Sequence, residues 1–480
     1  MISRLALRSL TAHPVRSAVL AVGFGTGVAV MAILLGVAQI VLQQAQSPDL
    51  VGGGDVVIRV GRQIPASLLL SGTLQAEALR ARIATAAPTQ TADLYLSSGG
   101  KRIRVAGRGG VPSLERALGD RETSGIEAWL DTDADRAWTH SSPDAALREI
   151  DRFHPIADAP AWAGSWAEWL YFNGRSADAR FYLTFLVGPR TPDGRRAAGV
   201  RLQLQRSDRT ENYGASALLT DADVASAPDL TIGASSVRLV GLRYQIHLDL
   251  EGPGGTRALG DVTLEGSPGR LVPPIEMLGA NGWRTGYVVP VMSGTLSGSL
   301  TLTPGVRNRG SSNFAKASAD KLDPPQRLSL DGTGYHDHNW GFWKGVSWQW
   351  GQAQHEGVSV VYGRVFPPAD AADRERLPGF VGVLGPDGPL GFATNVRIDE
   401  TSAADGRPTQ ITVRALGTGL DLTLRFDVAS AVTTKMTQGP LANDVNFLQL
   451  QGRYTVSGRA AGRALDFTAP GAAETFRGAQ

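Results

Sequence analysis

The chain has no cysteine among its 480 residues. That single absence excludes disulfides, thiolate metal sites, cysteine nucleophiles and a lipidated N-terminal cysteine. Lysine is nearly absent too: every other cation is arginine, with lysine only at Lys101, Lys316, Lys321, Lys344 and Lys435. This reads as a genomic composition bias rather than phosphate binding. The 47 basic and 45 acidic residues almost cancel and are spread along the chain, so there is no basic stripe to suit nucleic acid. No nucleophile elbow, phosphate-binding loop or dinucleotide fingerprint occurs. No cofactor and no metal are expected.

Glycine is plentiful, at 58 residues against a usual ~7%, and 27 prolines are scattered throughout. Short strands and many turns are therefore expected in place of long helices. The length suits two or three domains, each with its own core.

One long hydrophobic run is present. From Ser17 to Pro48 no residue is charged, and a bilayer core needs roughly 20 apolar residues. The run outlasts the ~7–15 apolar residues of a secretory signal and ends in Gln43, Gln44, Ala45 and Gln46, so an uncleaved, single-pass anchor is expected. Arg4, Arg8 and Arg16 precede it, and Asp49 and Asp55 follow. The positive-inside rule then puts the N-terminus in the cytoplasm and the bulk of the chain in the periplasm, at the inner membrane. Gly23 and Gly27 form a G-x-x-x-G, which suits close helix approach but also follows from ordinary glycine content.

The leader, with Ala6-Leu7-Arg8-Ser9-Leu10, His13-Pro14-Val15-Arg16 and Gly52 to Asp55, resembles the first helix of FtsX-type (MacB-like) ABC transporter permeases. The resemblance implies a transporter permease as partner. No second charge-free run of that length follows, so it implies a permease-derived anchor, not a transporter.

Beyond the anchor, short apolar runs, Val56-Val57-Ile58 and Ile103-Arg104-Val105, with a helix around Leu74 to Ala84, suggest a small mixed α/β segment. A further helix is expected where Ser142 caps, Pro143 opens the first turn, and Ala145, Leu147, Ile150 and Phe153 follow before Pro155 stops it. From Trp166 the pattern changes to period-two alternation: Arg180 to Val187, Val200 to Gln205, Tyr244 to Leu250, Leu296 to Leu302, Ser347 to Val365, Ile411 to Val428 and Leu448 to Val456. Recurrent strands at this spacing indicate antiparallel barrels or sandwiches.

The densest chemistry is Tyr335-His336-Asp337-His338-Asn339-Trp340-Gly341, with His355, Trp343, Trp348 and Trp350 close behind. On a strand, Tyr335, Asp337 and Asn339 share one face, and His336, His338 and Trp340 the other. If the first set faces an apolar cavity, burial raises the Asp337 pKa and leaves it able to donate a proton. Tyr335 and Asn339 would orient the carboxyl, and Trp348 and Trp350 would stabilise a carbocation. The same three residues suit a structural role better, satisfying buried polar groups or tying one barrel to another. A zinc site from His336, His338 and His355 with Glu356 or Asp337 is the weaker alternative, because H-x-H spacing is common and Asp337 points away from the two histidines. Glu168, flanked by Trp166, Trp169 and Tyr171, suits a hydrogen-bonding role in a barrel.

This heptad, together with Glu168-Trp169-Leu170-Tyr171-Phe172-Asn173-Gly174 and the terminal Tyr454-Thr455-Val456, Gly458 and Glu474-x-Phe476, resembles the paired signatures of the AttH-like and carotenoid 1,2-hydratase (hydroxyneurosporene synthase) superfamily. The resemblance implies a mainly β fold of two lipocalin-like antiparallel β-barrels, here behind one N-terminal transmembrane helix and a small α/β linker region. It also implies a cavity for a long hydrophobic molecule. The expected division is an anchor at 1–48, a permease-like segment and helical linker at 49–152, a first β domain at 153–282 and a second at 283–480. Asp337, Tyr335 and Asn339 are the catalytic candidates. Glu168, Trp169, Tyr171, His336, His338, Trp340, Trp348 and Trp350 are the ligand-binding candidates. The hydratases carry a His-x-Trp pair ahead of a proline, and the counterpart here, Gly286-Tyr287-Val288-Val289-Pro290, lacks both. The expected function is a membrane-anchored periplasmic protein that binds or hands over a lipid or isoprenoid. The alternative is a hydratase-like enzyme adding water to a polyene.

Overall fold

The computed structural model describes residues 14–15, 57–58, 82–119, 123, 126–139, 144–206, 209–267, 270–305, 324–373, 379–386, 388–435 and 445–478. Among these, no helix is long and apolar enough to cross a membrane. The expected anchor over 17–48, its G-x-x-x-G and the permease-like leader lie outside the described residues. The helix expected over Leu74 to Ala84 falls mostly outside them too, and residues 82–84 are not helical.

The chain divides into two compact units. In the smaller, β1 (Thr89–Ser98) and β2 (Lys101–Gly110) form an antiparallel hairpin, followed by α1 (Pro112–Ala117) and α2 (Asp133–Thr139). The buried Glu115 of α1 accepts a hydrogen bond from Thr89 at 2.7 Å.

The larger unit is almost entirely β. It opens with α3 (Ala145–Ile150), whose Leu147 and Ile150 are buried. The expected helix is therefore present, but its N-cap is Asp144. Two large antiparallel sheets follow. The first holds β3 (Trp166–Ser176), β4 (Ala179–Arg190), β5 (Arg196–Arg206), β6 (Thr210–Leu219), α4 (Asp221–Ala225), β7 (Leu230–Ile232), β8 (Ser235–Val240), β9 (Arg243–Glu251), β10 (Arg257–Glu265), β11 (Val272–Leu278), β12 (Arg284–Thr303), β13 (Gln326–Ser329) and β14 (Gly332–Phe342). Its path runs β10-β12-β14-β3-β4-β5-β6-β9, and β9 pairs back to β10, so these strands close on themselves. Closure removes the exposed edges that an open sheet would present.

The second sheet is ordered β18-β17-β16-β15-β23-β22-β21-β20-β19, from β15 (Ser347–His355), β16 (Val358–Phe366), β17 (Phe380–Gly385), β18 (Gly388–Ala393), β19 (Asn395–Ser402), β20 (Pro408–Gly417), β21 (Leu420–Lys435), β22 (Val445–Ala460) and β23 (Arg463–Gly478). It curls until β18 meets the other end of the sheet: a Cβ on Gly391 would lie 3.1 Å from Leu420 Cδ1. The β15–β16 connection is a two-residue turn in which Glu356 (φ 44°) and Gly357 (φ 80°) are both left-handed, the geometry that matches strand twist in tight hairpins.

The strands expected from alternation all lie within these ladders, and the architecture is mainly β with two large antiparallel sheets. The division at 282/283 does not hold for the sheets. β12 and β14 hydrogen-bond to β10 and β3 of the first sheet, so the break between sheets falls after Phe342. Strand alternation marks where strands are but not which sheet they join, because pairing partners are set by long-range register.

Both faces of β3 are buried from Trp166 to Gly174. One face looks into the closed first sheet and the other toward the second sheet. β14 lies beside β3 with Asp337 opposite Tyr171 and His338 opposite Leu170, so it carries two different polar sets on its two faces.

Candidate functional site

Tyr335, Asp337 and Asn339 of β14 point toward the second sheet. Asp337 Oδ2 accepts from Tyr335 Oη at 2.9 Å, and Oδ1 accepts from Asn339 Nδ2 at 2.8 Å. Trp350 Nε1 donates to Tyr287 Oη at 3.0 Å, and the hydroxyls of Tyr287 and Tyr335 lie 2.6 Å apart. An indole N–H can only donate, so the chain of bonds runs Trp350 to Tyr287 to Tyr335 to Asp337. A second carboxyl, Glu474 of β23, accepts from Tyr171 Oη at 2.8 Å.

Asp337, Asn339, Tyr171, Trp169, Trp348, Trp350 and Glu474 line one cavity of about 1410 Å³ between the two sheets. Its walls are mainly apolar and aromatic, the composition of a site for a hydrophobic ligand. Trp348 stacks on Phe476 at 3.9 Å, and Tyr335 and Tyr171 meet the Trp350 ring edge-on at 5.4 and 6.2 Å. Burial pushes the Asp337 carboxyl well above the usual carboxylate range; hydrogen bonds from Tyr335 and Asn339 oppose this, and the neighbouring Glu474 adds to it. Burial also raises Glu474, to about 7, against hydrogen bonds from Tyr171, Trp348 and Gln449. Both carboxyls are thus pushed toward the neutral form in the same cavity, and paired carboxyls with perturbed pKa values are candidates for acid and base roles.

The opposite face of β14 holds a different network inside the first sheet. His336 Nε2 meets Asp151 Oδ2 at 2.9 Å, and its Nδ1 donates to the Tyr171 carbonyl at 3.0 Å. His338 lies between two carboxylates, with Nδ1 3.1 Å from Asp151 Oδ1 and Nε2 2.9 Å from Glu168 Oε1. Tyr244 Oη donates to Asp151 at 2.9 Å, and His154 donates its backbone N–H to Glu168 at 2.8 Å. Asp151, Glu168, His336 and His338 are fully buried. Burial lowers His338, but the hydrogen bonds to Asp151 and Glu168 outweigh it and bring the pKa to about 9. Burial raises Asp151, but His336 and His338 outweigh that and hold it at about 2.

The eight ligand-binding candidates therefore divide. Trp169, Tyr171, Trp348 and Trp350 line the cavity. Glu168, His336, His338 and Trp340 do not: they face the interior of the first sheet, because strand neighbours alternate sides. Trp340 stacks on His154 at 4.0 Å and lies against Gly286, where a Cβ would strike its indole. His355 is remote from His336 and His338 and stacks on Phe467, so the three-histidine set is not assembled. Donor atoms of His154, Glu168 and His338 do lie within 4.8 Å of one another and are placed to hold a metal ion, although hydrogen bonds within the network already engage all three residues. Sequence reasoning missed Glu474, Tyr287 and Asp151 as site or network residues. Glu474 and Tyr287 stood in quoted motifs, but only folding brings them to Asp337. Asp151 carries no local signal.

The sequence matches no family model and no curated protein. Solved structures similar to this chain include a putative AttH from Nitrosomonas europaea, at 14% identity over 67% of this chain and 98% of that one, with a TM-score of 0.43. Kievitone hydratase from Nectria haematococca is similar at 11% identity over 68% of this chain and 94% of that one, TM-score 0.40. CghA is similar at 12% identity over 71% and 96%, TM-score 0.43. At these identities nothing about chemistry carries across.

Proposed function

We propose that the cavity between the sheets performs acid–base chemistry on an apolar, alkene-bearing ligand, adding water across a double bond. The observation that carries this reading is the buried Asp337 carboxyl, held well above the usual carboxylate range by burial, at the wall of an aromatic cavity of about 1410 Å³ that Glu474 also lines. The Asp337 O–H gives its proton to one alkene carbon, the π pair becomes the new C–H bond, and the neighbouring carbon becomes cationic. Aromatic faces of Trp348, Trp350 and Tyr171 lower the energy of that cation. A water oxygen then bonds to the cationic carbon while Glu474 takes the water proton. Return of that proton to Asp337 restores both groups. Tyr335 and Asn339 hold the acid in place.

The missing His-x-Trp pair supports a second reading, in which the cavity only binds or hands over a hydrophobic ligand. Incubation of the full chain with an acyclic isoprenoid alkene in ¹⁸O-labelled water separates the two. One labelled oxygen in the product, lost in a folded Asp337→Asn protein, is expected. Unlabelled starting material recovered in full, with binding intact, would leave the carrier reading. The charge-free run over 17–48 is proposed to tether the chain in the inner membrane, with the β sheets periplasmic. A periplasm-active reporter fused after Gln480 reads that topology, and protection of the β region from protease in spheroplasts would exclude it.

A further inference from the structure

Arg175, Arg180, Arg206, Arg209, Arg327 and Arg453 surround a second depression, of about 1010 Å³, formed by strands of both sheets. They come from β3, β4, β5, the turn after β5, β13 and β22, so only folding gathers them. Among the described residues, Asp178 is the one carboxylate on its wall. Glu211 pairs with Arg206 at 2.8 Å and with Arg209 at 3.4 Å, and Arg327 donates to Ser299 at 3.2 Å. Arg175, Arg180 and Arg453 have no carboxylate partner among the described residues. Burial, reinforced by the neighbouring Arg175, depresses the Arg180 pKa. Like charges crowded in this way favour a bound anion.

The depression continues the strand faces that line the cavity. On β3, Tyr171 lines the cavity and Arg175 the depression, four residues further along the same face. On β4, Arg180 and Tyr182 stand two residues apart on one face, and on β22, Gln449 and Arg453 stand four apart. Asp337 sits opposite Tyr171, which places the arginines roughly 13 Å from it along the strands, at about 3.3 Å per residue. A belt of amides separates the two regions. In that belt Gln205 Nε2 donates to Gln203 at 3.0 Å and Gln352 Nε2 to Asn173 at 3.1 Å. Asn173 Nδ2 and Gln205 Oε1 are buried there without a hydrogen-bond partner among the described residues. The lining thus grades from guanidinium through amide to aromatic.

We propose that the arginine depression is a headgroup site, and that the ligand is an amphiphile with a phosphate or diphosphate at one end. Its apolar chain passes the amide belt and presents a double bond to Asp337, so the inference rests on the acid–base reading for the tail. Guanidinium forks match phosphate oxygens in pairs, and several unpaired arginines suit a multiply charged group better than a single carboxylate.

The test is calorimetric titration of the full chain with an isoprenyl diphosphate, the corresponding isoprenyl alcohol and inorganic diphosphate. The diphosphate ester is expected to bind about tenfold or more tighter than the alcohol, a gain typical of charged hydrogen bonds. Inorganic diphosphate should compete with the ester and not with the alcohol. Arg175 and Arg453 are exposed, so Arg175→Gln/Arg453→Gln should fold normally, lose the preference for the ester and keep its affinity for the alcohol. The two single variants serve if the double one melts early. Equal binding of ester and alcohol by the parent overturns the proposal, as does an equal loss of both in the variant. Loss of binding to phosphatidylglycerol vesicles with unchanged affinity for the free ester would mean that the arginines contact a bilayer, and also overturns it. A headgroup preference without ¹⁸O incorporation would leave this site standing and remove the acid–base reading.

Discussion

At the scale of single residues, chemistry follows from which face of β14 a side chain occupies. Asp337 and His338 are adjacent, yet one lines an aromatic cavity and the other is clamped between two carboxylates. Glu474 gives the sharpest pH signature. Its folded pKa of about 7 lies above the roughly 4.3 of a free glutamate. Its contribution to stability is therefore complete below about pH 4.3 and is lost as pH rises through about 7. Glu474→Gln removes this loss, so the variant should gain on the parent between those pH values, by on the order of 3 kcal/mol. Denaturant melts at pH 4.5 and pH 8 measure the difference, and a constant gap would contradict the raised pKa. Turnover should rise with pH through about 7 as Glu474 ionises and fall only when Asp337 loses its proton. In Glu474→Gln the residual rate should lose the acid limb of the profile.

At the scale of elements, the Asp151 network ties α3 and the segment after it to β3, β9 and β14. Arg148 of α3 adds bonds to Asp229 at 3.1 Å and to the Leu239 carbonyl. Replacing Asp151 by alanine leaves Tyr244, His336 and His338 facing a gap, and loss of one partner from a buried charged set costs about 3–5 kcal/mol. The melting temperature of Asp151→Ala should fall accordingly, whereas Arg397→Ala, which breaks an exposed pair with Asp399, should change it little. His338 has a folded pKa of about 9, above the ordinary ~6.5. Its stabilisation is present below about pH 6.5 and is lost as pH rises through about 9. The decline in stability over that window should be smaller in His338→Gln, and an unchanged decline would show that the imidazolium is not its source.

At the scale of the whole molecule, the larger compact unit contains α3 and both sheets together. A fragment beginning at Phe153 lacks Asp151, Leu147 and Ile150 and cuts into the network beneath β14. A fragment of residues 140–480 is expected to give a β-type far-ultraviolet spectrum and one cooperative melt. The 153–480 fragment should melt at a clearly lower temperature. Equal melting temperatures would mean that α3 and Asp151 contribute nothing to this fold. The arginines belong to the same scale: as a composition they read as a bias spread along the chain, while six of them converge on one depression.

Alternation determined the strands, and with them the mainly β class, because a period of two is local and survives without knowledge of partners. The same periodicity put Tyr335, Asp337 and Asn339 on one face and separated them from His336 and His338. It did not say which face was which, nor that Glu168 of β3 shares the face of the histidines. Tertiary structure alone decided that β12 and β14 complete the first sheet, that Glu474 from β23 shares the cavity with Asp337, and that Asp151 joins the histidine network. These are contacts between residues 30 to 187 positions apart or between two sheets, and the free energy that selects them comes from burial and pairing in the folded core. No local pattern in the chain encodes that.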